Sequence, residues 1–462
     1  MKKSILALLG IATLVSCGTI KPEAPEISVQ EEVVVPKQPV SVIKVPIKIN
    51  LAPYFEATDK SVPTEFRGSD YQCQGVSYSY YMKRKKIDFT GVGERIDLTV
   101  KGGYSVKLQY CPECTSLFSS SGNCIIPITH FSCGVNEPLR KLEVSFRSKI
   151  GVQNDYHLKA KTEINDVKAL SPCQVTMFYY DASSTLEKEV KKAMKSVSKD
   201  IDKEIAKVDL GPDMKSTWSA LEEPIDLDGY GYMFLNPTKV GMSDIKYYGD
   251  TAYLDAYLQA FPQVRLDTIG FRPTDLPNLS KFDVTDGFDI KMDVTATYDS
   301  LSTLLTRSIS GMKTDMKGNE VIFDSVQIHG AANQQLHIKL DFSGKKKGSL
   351  YLTGTPVFDA EKQKISFPDL EFDVKTRSAL LKGAKWLFDK KITTMIREAA
   401  TIELTEYLES FKGTIDESLN GEIDAGVQMN GKVNTILIDY ILPREDALYM
   451  RVSSIGTLGI QM

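Results

Sequence analysis

The chain has 462 residues, 42% hydrophobic and 25% charged, an ordinary globular composition that excludes wholesale disorder and is long enough for more than one core. Lys and Arg (56) against Asp and Glu (60) give a net charge of −4, which excludes the basic surface that nucleic-acid binding needs. Only 4 histidines are available for metal or proton-transfer chemistry, and the 7 cysteines form an odd set.

Met1-Lys2-Lys3 is a short basic head before an apolar run at 5–15. That run is too short to span a bilayer permanently and reads as the core of a signal peptide, residues 1–16. Leu14-Val15-Ser16-Cys17-Gly18 resembles the lipobox of bacterial lipoproteins. The resemblance implies cleavage before Cys17, lipidation of its thiol and a stable membrane anchor there. Gly18, rather than Asp, after the cysteine points to the outer membrane of a cell envelope. Secretion with a free Cys17 is the alternative. Residues 17–42 carry Pro22, Pro25, Pro36 and Pro39 among several glutamates and show no amphipathic period. They are expected to form a tether of about 3 Å per residue.

Setting Cys17 aside leaves Cys73, Cys111, Cys114, Cys124, Cys133 and Cys173, an even set for which disulfides are the default in an oxidising compartment. Cys111-Pro-Glu-Cys114 matches the opening of a zinc ribbon, but Cys124 and Cys133 lack the second close pair. A redox CxxC belongs at a helix start, whereas this one follows a strand-like stretch at 104–110. The expected pairing is a Cys73–Cys173 clip with two bridges inside the 111–133 loop.

The remainder reads as two halves, 43–262 and 287–462, joined by a linker at 263–286 that Pro273 and Pro277 punctuate. In the first half, Val45-Pro46-Ile47-Lys48-Ile49 alternates as a half-buried strand does, and a short helix is expected at 51–56. Strand-like segments follow at 75–82, 95–100, 104–110, 142–146, 158–164 and 175–180. Leu142, Val144 and Phe146 share one face. Then Leu186, Val190, Met194, Val197, Ile201, Ile205 and Val208 step by three or four, predicting one helix of about 26 residues with a single apolar stripe. Strands near 232–235, 240–247 and 252–258 close this half.

The second half repeats the order: a strand at 288–294, a helix at 298–309, and strands at 321–328, 336–342, 349–353, 364–367 and 370–374. A long helix is then expected from 378 to about 411, with Leu380, Ala384, Leu387, Phe388 and Met395 on its apolar side. Strands at 431–440 and 447–452 end the chain. Lys239-Val240, Ile245 and Tyr247 match Lys432-Val433, Ile438 and Tyr440 at a constant offset, and Ala252-Tyr253-Leu254 then meets Ala447-Leu448-Tyr449, as in an internal duplication.

A sheet that curves around one amphipathic helix leaves an elongated apolar space between them, the shape of an acyl chain. This twice-repeated plan resembles the tubular lipid-binding (TULIP) superfamily, which includes bactericidal/permeability-increasing protein. The segment 45–51 with Val62-Pro63 is similar to the first strand and helix of that superfamily. Gly354-Thr355-Pro356-Val357-Phe358-Asp359, and Leu370-Glu371-Phe372-Asp373-Val374 with the stretch at 380–386, resemble an uncharacterised lipoprotein family, domain-of-unknown-function family 4403. The cysteine loop departs from its pattern.

The resemblance implies an α+β fold of two tandem TULIP-like modules, each a curved antiparallel sheet wrapped around one long amphipathic helix. It also implies a groove for lipid or another apolar small molecule beside the membrane. Leu186, Val190, Met194, Val197, Ile201, Leu380, Ala384, Leu387, Phe388 and Met395 are the expected lining residues. The alternative is a structural or adaptor lipoprotein in which these side chains fill closed cores and the surface binds another envelope protein.

Catalysis finds little support. His130, His157, His329 and His337 sit apart in sequence without an HExxH pair, and His337, between Leu336 and Ile338, is expected to face solvent beside Lys339. No GxSxG elbow, Walker loop or GxGxxG is present. Asp226-Leu227-Asp228-Gly229 reads as a turn rather than a calcium loop. No enzyme, cofactor or metal is therefore expected.

Overall fold

The computed structural model of the chain describes residues 20–25, 34–115, 124–125, 128–175, 181–227, 231–315, 320–345, 347–373, 375–377, 394, 397–398 and 400–462. The signal segment and Cys17, the 176–180 part of an expected strand, Asp228 and Gly229, and Leu380, Ala384, Leu387, Phe388 and Met395 lie outside the described residues.

The first half opens with β1 (Ser41–Asn50), α1 (Ala52–Ser61) and β2 (Glu65–Asp70). Two long strands, β3 (Gly75–Gly93) and β4 (Arg95–Cys111), form a hairpin in which Val92 faces Arg95 and Gly93 adopts φ 63°, the left-handed turn conformation that favours glycine. β5 (Thr129–Cys133), β6 (Arg140–Val152) and β7 (Leu158–Ala169) precede α2 (Ser183–Ile205) and α3 (Gly211–Glu222). Six short strands follow: β8 (Ile225–Asp226), β9 (Tyr232–Phe234), β10 (Pro237–Met242), β11 (Lys246–Gly249), β12 (Thr251–Ala260) and β13 (Gln263–Arg265).

The second half begins with β14 (Phe288–Thr297), α4 (Tyr298–Ile309) and β15 (Lys313–Asp315). Three strands of a second sheet follow, β16 (Glu320–Gly330), β17 (Leu336–Gly344) and β18 (Gly348–Gly354). After β19 (Val357–Asp359), β20 (Lys364–Ser366), β21 (Glu371–Phe372) and β22 (Ile402–Glu403) comes α5 (Thr405–Ser418). β23 (Gly421–Asp424), β24 (Val427–Pro443) and β25 (Ala447–Gln461) end the chain.

These strands build a 17-stranded sheet, a 5-stranded sheet in the order β15-β16-β17-β18-β21, and a 3-stranded sheet of β19, β20 and β22. The large sheet takes strands from both halves. β1 pairs with β12 along its whole length, meets β14 at Val42 and Ile43, and runs parallel to β25 at Ile47 and Lys48. The two closing hairpins hold equivalent places: β12 lies on β1 as β25 lies on β14, with Ala252 and Ala447 both buried.

The α+β expectation of two tandem modules, each an antiparallel sheet wrapped around one long helix, is overturned. The described chain is mostly β, its sheets are many-stranded and mixed, and no sheet encloses a long helix. Charge gives one reason. α2 is 23 residues long, but Lys188, Lys191, Lys192, Lys195 and Lys199 are exposed along its other faces, and enclosing them would strip water from five ammonium groups. Backbone preference gives another. The helix expected to reach about residue 411 is interrupted at Ile402–Glu403, where the β-branched pair Thr401-Ile402 favours extended backbone and Ile402 pairs with Ile365 of β20.

Buried ion pairs fasten the large sheet. Arg84 donates to Asp59 Oδ1 at 2.6 Å and to the carbonyls of Asp59, Val62, Pro63 and Lys85, tying the end of α1 to β3. Arg451 of β25 makes a two-point contact with Asp293 of β14, at 2.6 and 3.0 Å, and also donates to the Pro36 and Lys37 carbonyls. The stretch read as a tether is therefore docked where it is described: Gln38 Nε2 donates to the Pro262 and Lys291 carbonyls, and Ile20 lies in the core of the five-stranded sheet. Among the described residues no helix is long and apolar enough to cross a membrane.

Candidate functional site

Antiparallel register sets Leu98 of β4 opposite Phe146 of β6, and Phe146 opposite Ile164 of β7; Val144 likewise faces Val100 and Val167. Period-2 alternation then turns Leu142, Val144 and Phe146 to one face, where they are 3, 3 and 4% exposed. That pattern was legible in the sequence. α2 lies on this face, with Leu186, Val190 and Met194 against the cluster of Leu142, Val144, Phe146 and Val167.

The N-terminus of α2 is fixed to the sheet. Ser183 Oγ accepts from the Cys173 N–H at 2.9 Å, Asp181 Oδ1 accepts from the Ser183 N–H at 2.9 Å, and Glu187 Oε1 accepts from the Ala169 N–H at 2.8 Å. The disulfide Cys133–Cys173 joins the end of β5 to the approach to α2. The other bridges are Cys73–Cys114 and Cys111–Cys124. All six cysteines are thus paired, but the expected Cys73–Cys173 clip is replaced. Gly75 faces Cys111 across the β3–β4 hairpin, so Cys73 lies beside the residues just past Cys111 rather than beside α2.

None of the five predicted stripe residues of α2 is fully buried. Leu186, Val190, Met194 and Ile201 are half-buried and Val197 is 37% exposed; the buried residue of the helix is Ser198, whose hydroxyl donates back to the Met194 carbonyl at 3.1 Å. The stripe and the sheet therefore form a seam that is packed shut at Leu186–Met194 and exposed at Val197.

At the closed end lie two polar atoms that sequence reasoning missed. The Tyr104 hydroxyl and Arg140 Nε are both buried without a hydrogen-bond partner, and the two residues are directly opposed on β4 and β6. Tyr104 is 4% exposed within the apolar cluster. Burial is the main cause that pushes its phenol up to about 12; Arg140 pulls the other way, and Asp181 and Glu187 add to the rise. Tyr104 is thus a neutral donor at physiological pH. An unsatisfied buried hydroxyl costs roughly 1–3 kcal/mol. In the sequence, Tyr104 only alternates with Val106 and Leu108 as any strand residue does, and its orphaned hydroxyl becomes visible once the β4–β6 register is known.

The arrangement offers an apolar seam ending in one O–H and one guanidinium N–H, complementary to an amphiphile with an oxygen-bearing end.

No curated protein sequence matches the chain significantly. Among solved structures, lipopolysaccharide binding protein overlaps 91% of this chain and 98% of its own at 9% identity, with a TM-score of 0.21. P47 of Clostridium botulinum E1 gives the same coverage, identity and score. P47 from Clostridium botulinum A2 overlaps 90% of this chain and 96% of its own at 9% identity and a TM-score of 0.22. A family profile, by contrast, matches residues 39–462, nearly everything after the docked N-terminal stretch. The chain belongs to the family described as Domain of unknown function (DUF4403).

Proposed function

We propose that this protein binds a lipid or similar amphiphile along α2, with the acyl chain in the seam and its polar end at Tyr104 and Arg140. One observation carries the reading: two buried donor atoms without partners, the Tyr104 hydroxyl and Nε of an Arg140 whose Nη2 pairs with Glu137 at 2.7 Å, stand at the closed end of a half-covered apolar stripe. Seating an acyl chain there would return about 0.8 kcal/mol per buried CH₂, and acceptor oxygens on its polar end would satisfy the two donors. The role is one of binding, not catalysis. The lipobox-like Leu14-Val15-Ser16-Cys17 supports a lipid-anchored protein of the cell envelope, positioned where such ligands occur.

Native mass spectrometry of residues 18–462 with added palmitate and phosphatidylglycerol tests the proposal. One bound amphiphile is expected, and Val190→Trp, which fills the seam, is expected to abolish uptake while the protein stays folded. Absence of uptake, or uptake indifferent to Val190→Trp, would instead favour an adaptor whose surface binds an envelope protein.

A further inference from the structure

The five-stranded sheet carries a second concavity, remote in sequence from α2. Antiparallel register sets His329 of β16 opposite His337 of β17, Gln327 opposite Lys339, and Lys339 opposite Tyr351 of β18. Residues two apart on a strand share a face, so these five side chains converge although their sequence positions do not suggest it. Two of the four histidines, apart in sequence, are thus neighbours, and the expectation that His337 faces solvent is corrected here: His337 is half-buried, and its Nδ1 lies 3.0 Å from Thr353 Oγ1.

The N-terminal segment roofs this face. The Ile20 N–H donates to the Lys347 carbonyl at 3.1 Å, the Ile20 carbonyl accepts from the Ser349 N–H at 2.9 Å, and Glu23 pairs with Lys375 at 3.2 Å. Ala24 and Pro25 then border a half-open cavity of about 270 Å³ over Gln327, His329, His337, Lys339 and Tyr351, with Gln327 and His329 exposed at its mouth.

Among the described residues the lining contains no carboxylate. Lys339 Nζ donates to Gln327 Oε1 at 3.4 Å and pairs with Asp341 at 3.2 Å, which leaves one ammonium N–H and the Gln327 amide N–H groups to the cavity. The His329 ring and the Tyr351 hydroxyl make no hydrogen bond among the described residues, and His337 keeps Nε2. Burial is the main cause that holds the His337 imidazole below its ordinary range; His329 adds to this and Asp373 opposes it. Its ring is therefore neutral near pH 7, and the one cation of the described lining is Lys339, which Asp341 already pairs at 3.2 Å. A space smaller than the roughly 300–1,000 Å³ of drug-sized ligand pockets suits a small anion rather than an acyl chain.

We propose that this roofed cavity binds a phosphate-type anion, supplied by a lipid headgroup or as free phosphate. The proposal stands on donors, lining and size, and is independent of the α2 seam. The test uses the chain expressed without residues 1–16 and carrying Cys17→Ser, with two probes: inorganic phosphate by isothermal titration, and phosphatidylglycerol vesicles by co-flotation. The variants are His329→Leu and Lys339→Met. His329 is exposed and its ring makes no hydrogen bond among the described residues, so its replacement leaves the fold intact and decides the matter if Lys339→Met does not fold.

Binding of either probe that weakens about tenfold in a variant with unchanged thermal unfolding supports the proposal, one charge-assisted or neutral donor having been lost. Phosphate binding names the free ion as a source; binding of vesicles alone names the headgroup. Binding of neither probe, or equal binding in wild type and folded variant, overturns it.

Discussion

Replacing Tyr104 by phenylalanine separates stability from binding in a way few substitutions can. The Tyr104 side chain is 4% exposed and its hydroxyl has no partner. Its desolvation therefore stands uncompensated, at roughly 1–3 kcal/mol. Phenylalanine keeps the ring that packs among Leu142, Val144 and Phe146 and removes only the orphaned oxygen. Against that gain stands the small void left by one atom, so a net stabilisation of about 1 kcal/mol is expected. At a urea dependence of roughly 3 kcal/mol/M, this raises the midpoint by only about 0.3 M, within reach of paired denaturation curves read by fluorescence and circular dichroism. Amphiphile binding should move oppositely. Losing a hydrogen bond to a charged end weakens affinity by about ten- to a hundredfold. A Tyr104→Phe protein destabilised by about 1 kcal/mol or more, with unaltered binding, would refute the reasoning, because the hydroxyl would then have a partner inside the protein.

Three further outcomes are expected. Cys133→Ser with Cys173→Ser opens a bridge across 40 residues and should cost about 4 kcal/mol in denaturant unfolding by the chain-entropy relation; hydrogen exchange should rise first at the start of α2. The Tyr104 and Tyr247 phenols are pushed up to about 12, chiefly by burial, whereas unfolded tyrosine titrates near 10. The unfolded chain therefore releases these protons first, so stability should fall as pH climbs from 10 toward 12. Tyr247→Phe should flatten that slope in pH-resolved urea titrations. At Gly348 an added Cβ would stand 2.2 Å from the Ile20 carbonyl oxygen, so Gly348→Ala should release the roofing segment; limited proteolysis near Lys21 should accelerate while the rest of the chain stays resistant.

Local periodicity was the part of this fold most open to reading. α4 spans the expected residues, the 142–146 face is buried as alternation requires, and the stripe of α2 meets the sheet with Leu186, Val190 and Met194. What failed depends on partners distant in the chain. The merger of both halves through β1 rests on its pairing with β12, β14 and β25, which no local pattern encodes. Cysteine spacing could not reveal that Cys173 meets Cys133, because the choice is made by where β5 and β7 end. Register likewise brings His329 against His337 and Tyr104 against Arg140 across separate strands. Composition misled at the tether, where proline and glutamate suggested a free chain, yet Ile20 finds an apolar site and the Pro36 carbonyl a guanidinium.

The central claim is that α2 and the sheet beneath it hold an amphiphile, and photo-crosslinking tests it most directly. Residues 18–462 would be irradiated with a palmitate analogue carrying a diazirine near mid-chain, digested and sequenced by mass spectrometry. The account predicts one adduct per protein, on peptides from α2 between Leu186 and Ile201 or from the facing strands β4, β6 and β7, displaced by unlabelled palmitate and absent in Val190→Trp. Adducts spread over the surface, or labelling unchanged by Val190→Trp, would contradict it.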